Sequence, residues 1–122
     1  MQLEANVTFP HHRLDVYRVS LEALEATATL VQRVPRGYGY ATNQLKRAAL
    51  STVLSIAEGA SRKTSRDKRY RYEIGRAECG EAAAVVEALA VLKLVPTDEA
   101  TRLMNLQARV AAMLTRLIGR YS

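Results

Sequence analysis

The chain has 122 residues, enough for one hydrophobic core and too few for two. Hydrophobic residues make up 48% of it, with only 3 Pro and 6 Gly, a mixture that favours helix over sheet. Eighteen Lys and Arg against 12 Asp and Glu leave a net charge of +6, which attracts polyanions, while the single Cys79 excludes an internal disulfide and a multi-cysteine metal site and fits a reducing cytoplasm.

Met1 to Pro10 lacks the apolar core of a signal peptide and reads as a loose arm. No apolar stretch approaches membrane-spanning length, so a soluble, cytoplasmic protein without a membrane partner is expected. From Leu14 the apolar positions run Leu14, Tyr17, Leu21, Leu24, Ala28 and Val31, in alternating steps of three and four that predict an amphipathic helix packed along this seam. Pro35 and Gly37-Tyr38-Gly39 end it.

A second helix is predicted from about Tyr40 to Ala60, burying Leu45, Ala49, Thr52 or Val53, and Ile56, with Gly59 as its C-terminal breaker. A polar turn, Ser61 to Ser65, follows. Thr64 or Ser65 can cap a long third helix reaching about Lys93, since either hydroxyl accepts a bond from a first-turn N–H. Its middle is small (Ala77, Gly80, Ala82, Ala83, Ala84), so a neighbouring helix can approach closely. Pro96-Thr97-Asp98-Glu99 starts a fourth helix with acids at its positive end, and Leu103, Leu106, Val110, Met113 and Leu117 repeat at heptad-like spacing. Four amphipathic helices with short connections predict an all-α, antiparallel up-down-up-down four-helix bundle over residues 13–122, with residues 1–12 as a flexible N-terminal arm.

The run Gln44-Leu45-Lys46-Arg47-Ala48-Ala49, followed by Ile56-Ala57-Glu58-Gly59, resembles the second-helix motif of the bundle proteins encoded in intervening sequences of bacterial 23S ribosomal RNA genes. The resemblance extends from Leu14 to Tyr121 and includes the Arg62-containing turn and the pair Tyr70 and Tyr72. The accessory variability determinant of diversity-generating retroelements is a more distant relative in shape. The resemblance implies a ring-like homopentamer with a basic surface, a nucleic-acid or ribonucleoprotein role, and no enzymatic activity. Two departures stand out: Ser55 replaces a usual Asn, and Ala77-Glu78-Cys79-Gly80 replaces a common Ala-x-Gly-Ser.

The candidate site is the basic segment after the second helix. Between Arg62 and Arg76 seven cations face two acids, and Arg62, Lys63, Arg66, Lys68, Arg69 and Arg71 are the expected nucleic-acid contacts. Cations at a helix N-terminus oppose the macrodipole, at a cost of a few tenths of a kcal/mol. Tyr70 has two readings: a base-stacking ring, or a core residue in helical register with Ile74 and Ala77. Arg47 and Glu58 lie three turns apart on one face, too far to pair with each other, and each is expected in a structural ion pair with another helix or subunit, Arg76 and Glu78 being candidates.

No metal or cofactor is expected. His11 and His12 lack a third ligand at zinc-like spacing, and Glu78 and Glu81 lack the Glu-x-x-His partner of a di-iron bundle. Cys79, among Ala and Gly, reads as a small buried residue. The leading function is a non-catalytic, oligomeric RNA- or DNA-binding protein. The alternative is an oligomeric adaptor for a protein partner such as a reverse transcriptase. Val16, Val19, Leu54 and Leu94 fall off the internal seam and are candidates for subunit contacts.

Overall fold

The computed structural model describes residues 8–122. Four helices, α1 (Asp15–Val31), α2 (Gly39–Ser61), α3 (Ser65–Val91) and α4 (Thr97–Arg120), follow a short 3-10 turn at Pro10–Arg13, and no strand occurs among the described residues. Each helix packs on its neighbours in sequence, and α4 closes the ring by packing on α1. The α2–α3 pair shares the largest interface. Arg33 at the end of α1 meets Glu99 at the start of α4, so these two helices are antiparallel. The all-α four-helix reading from sequence therefore holds. Among the described residues no helix is long and apolar enough to cross a membrane.

Two apolar clusters fill the interior. One joins Leu30, Leu45, Val86, Leu89 and Leu103 near the α1–α2 loop, and the other joins Val19, Ile56, Tyr72, Val110 and Leu114 toward the opposite end. A cavity of about 10 Å³ is lined by residues of both and by Ser20, Thr27, Thr52 and Gln107. The Thr27 and Thr52 hydroxyls donate to the carbonyls of Ala23 and Ala48 at 2.8 Å, and Ser20 donates to Tyr17 at 2.6 Å, so these side chains are buried with their donors satisfied. Gln107 Oε1 is buried with no partner among the described residues.

That polar belt explains a correction. The buried line of α1 is Val16, Val19, Ser20, Ala23, Thr27 and Leu30, whereas Leu21 is 40% exposed and Ala28 is exposed. The seam drawn through Leu14, Tyr17, Leu24 and Val31 is a half-buried flank. Back-bonded Ser and Thr pack as apolar side chains while reading as polar in sequence, and this turned the expected seam away from the true one. Val16 and Val19 are accordingly core residues and not subunit contacts.

The helix ends follow local chemistry. Gly37, with φ of 100°, turns the chain between α1 and α2. Thr64 Oγ1 accepts from Asp67 N at 3.0 Å, giving α3 its expected cap. At the other end of α3, Lys93 takes φ of 59° while Leu94 N donates to Leu89 O at 2.9 Å, closing a Schellman turn usually built on glycine. Of the sequence-assigned arm, residues 1–7 lie outside the described residues. Residues 10–13 form the 3-10 turn, where Phe9 N donates to His12 Nδ1 at 3.1 Å and the His11 ring sits 4.4 Å from that of Tyr17. Burial, then the neighbouring His12, lowers the His11 pKa.

Candidate nucleic-acid interface

The basic segment lies where α2 hands the chain to α3. Arg62 ends α2 in an extended conformation, with its N–H on Gly59 O, and Thr64 restarts the helix two residues later. Arg62, Lys63 and Arg66 are exposed on this turn and have no ion-pair or hydrogen-bonded side-chain partner among the described residues.

The other three expected contacts are engaged within the fold. Lys68 Nζ donates to Ala60 O at 2.9 Å and Gly59 O at 3.4 Å, satisfying carbonyls at the end of α2, and lies 5.8 Å from the Tyr121 ring centroid. Arg69 donates to Tyr121 O at 3.1 Å, tying α3 to the end of α4. Arg71 pairs with Glu58 at 3.3 Å across the α2–α3 interface. All three add to the positive field, and Arg62, Lys63 and Arg66 are the members of the expected set left without an intramolecular partner among the described residues. The reason is register: Lys68, Arg69 and Arg71 fall on the flanks of α3 that face α2 and α4.

Tyr70 is 60% exposed, with the Arg71 guanidinium 5.7 Å from its ring centroid, so the core reading of Tyr70 is corrected. The core tyrosine is Tyr72, which is 1% exposed and packs on Gly59. Gly59 lies inside α2, so its role is to admit this ring rather than to break the helix. Burial, with a smaller contribution from Tyr121 and opposed by Arg120, pushes the Tyr72 phenol up to about 12.

The ion-pair expectations separate. Glu58 does pair with another helix, through Arg71 rather than Arg76. Arg47 is exposed on α2 and has no ion pair among the described residues, so the expected pair is not made within one chain. Arg76 donates to Thr115 Oγ1 at 2.6 Å, and Glu78 accepts from Ser55 Oγ at 2.7 Å. Cys79 donates to Gln107 O at 3.3 Å, and burial pushes its thiol up to about 11 against the opposing pull of Arg76. A protonated, enclosed thiol is inert at neutral pH.

The sequence model of the 23S rRNA-intervening sequence proteins matches residues 12–116, from the 3-10 turn nearly to the end of α4. The chain belongs to this family. Comparison with curated proteins finds no match. The region matched to the 23S rRNA-intervening sequence proteins contains the Gly59–Tyr72 contact and the whole basic turn. Sequence reasoning passed over Arg102, Arg109, Arg116 and Arg120, four exposed cations on α4; the signal available was their regular spacing on the outward side of the helix.

Proposed function

We propose that this 23S rRNA-intervening sequence protein is a non-catalytic, oligomeric, cytoplasmic protein that binds RNA or a ribonucleoprotein through its basic surface. The observation that carries this reading is the exposed, unpaired set Arg62, Lys63 and Arg66, with exposed Tyr70 one turn further along α3. Cations on an exposed turn engage phosphate without reading base sequence, and a ring of copies multiplies weak contacts into useful affinity. Neither Cys79, whose thiol is pushed up to about 11, nor Glu58, held by Arg71, is poised as a nucleophile or base.

Self-association is supported by two exposed faces. Leu50 and Leu54 on α2 are 48% and 50% exposed, and Ala77, Gly80, Ala84 and Ala88 form a small-residue strip on the outward side of α3. Large side chains on one face and a shallow strip on another suit head-to-tail contacts, which close into rings such as a pentamer. The adaptor reading for a protein partner such as a reverse transcriptase has its own support. Tyr40, Val91 and Leu92 are all more than half exposed at the end of the bundle remote from the basic turn.

Fluorescence anisotropy with structured RNA, single-stranded RNA and duplex DNA, at low and physiological salt, tests the proposal. Wild type should bind with a steep salt dependence, and Arg62→Glu/Lys63→Glu/Arg66→Glu should lose most of the affinity at unchanged helicity. Absence of binding by wild type would replace this reading with the adaptor.

A further inference from the structure

From Ala100 to Ser122 the chain contains four arginines, Arg102, Arg109, Arg116 and Arg120, and no Asp or Glu. All four are exposed, and none has an ion-pair or hydrogen-bonded side-chain partner among the described residues. Each seven-residue step advances about 10.5 Å along the helix and turns it by only about 20°. Arg102 and Arg120, separated by five full turns, share one azimuth about 27 Å apart. The four arginine positions therefore fall on one narrow, solvent-exposed stripe of α4.

Helix stability does not account for this row. Only Arg120 lies in the last turn, where the macrodipole favours a cation. Arg116 and Arg120 are a like-charge pair at i,i+4, which weakens a helix. Asp98, one turn before Arg102, offsets the start of the row, leaving Arg109, Arg116 and Arg120 as its uncompensated part on α4. Two α3 cations reinforce that half from the side: Arg76 reaches Thr115, and Arg69 reaches the Tyr121 carbonyl. The contact with Tyr121 also sets this end of α4 beside the start of α3, next to the basic turn.

The form of the row selects its ligand. A rigid line of about 27 Å spans roughly eight base pairs of B-form duplex at about 3.4 Å each. Proteins that hold single strands add aromatic platforms to their basic grooves, and α4 has no aromatic residue from Thr97 to Arg120. Guanidinium groups suit phosphate oxygens through paired N–H donors. We propose that the α4 arginine row binds the sugar-phosphate backbone of a nucleic-acid duplex, extending the turn patch along the bundle. This rests on the nucleic-acid reading above and assigns it a second contact surface and a ligand form.

The test is anisotropy with labelled 16-base-pair DNA and RNA duplexes and their single strands from 50 to 200 mM KCl. Wild type is compared with Arg109→Gln/Arg116→Gln/Arg120→Gln and with Arg62→Gln/Lys63→Gln/Arg66→Gln, after checking helicity and oligomer mass. Each lost contact on B-form DNA removes about 0.9 from the slope of log affinity against log salt, so on the DNA duplex the α4 variant should lose roughly 2.7 units of slope. Its loss should be larger on duplex than on single strand. Wild-type slope and affinity in the α4 variant, with loss in the turn variant, would overturn the row while leaving the nucleic-acid reading standing. Equal losses on duplex and single strand would overturn the duplex assignment, and no binding by wild type would overturn both. If the triple α4 variant changes fold or mass, the single Arg109→Gln carries the same test, with a slope loss of about 0.9 on the DNA duplex.

Discussion

A β-carbon added at Gly59 would lie 2.5 Å from Cε1 and 2.7 Å from Cδ1 of Tyr72, closer than packed atoms approach. Because Tyr72 is enclosed, its ring has little room to move, and overpacking costs about 1–3 kcal/mol. Gly59→Ala should therefore lower unfolding stability by that amount in urea titration, despite alanine's higher helix propensity. A stability gain would show that the ring does not need the glycine. The same tyrosine and Cys79 set an alkaline limit. The thiol moves from an ordinary 9.0 to about 11 and the phenol from 10.0 to about 12 on folding, so both ionise first in the unfolded chain. Their contribution is full below about pH 9 and is lost progressively above it, with a slope approaching ~1.4 kcal/mol per pH unit for each group. Urea titrations from pH 8 to 11 should show this decline, and Cys79→Ala should flatten its first unit. An unchanged slope in that variant would remove Cys79 from the account.

Among the elements, the end of α3 carries an identifiable strain. Lys93 occupies the left-handed position of the Schellman turn, a conformation that costs a residue with a β-carbon about 1–2 kcal/mol. Glycine removes that cost but enlarges the freedom of the unfolded chain, so Lys93→Gly should stabilise the bundle by a net ~0.5–1 kcal/mol. Thermal unfolding would register this as a higher midpoint, whereas a lower one would contradict the strain. The helices, their breaks and the Thr64 cap were legible because turn residues and capping hydroxyls act locally. The register of α1 was not, because Ser20 and Thr27 bury their hydroxyls on their own helix. The basic turn was legible as a cluster of charge. Its division was not, because whether Lys68 meets the end of α2 or Arg69 meets Tyr121 depends on how helices dock. The role of Gly59 was hidden for the same reason, since its partner lies on another helix.

Over the whole molecule, the α4 row lies on a different helix from the exposed leucines of α2 and the small strip of α3, while the basic turn lies at the α2–α3 end of the bundle, with Arg66 and Tyr70 on the face of α3 that continues into the strip from Ala77 onward. On the oligomeric reading, contact through the leucines and the strip would leave the α4 row in water. If the leucine face of one copy packs on the α3 strip of the next, every copy in a closed ring uses both faces once. Leu50→Glu/Leu54→Glu spoils only the first face, and Gly80→Trp/Ala84→Trp only the second. Each variant alone should then run as a helical monomer of 13.5 kDa in size-exclusion chromatography with light scattering, while wild type runs at a multiple, five for a pentamer. Mixed in equal amounts, the two variants still offer one intact pair of faces and should form a species of twice the chain mass that grows no further. Two self-complementary interfaces would behave differently, because each variant would keep a complete interface and dimerise unmixed. Full-sized rings from either variant alone would place the subunit contact on other residues.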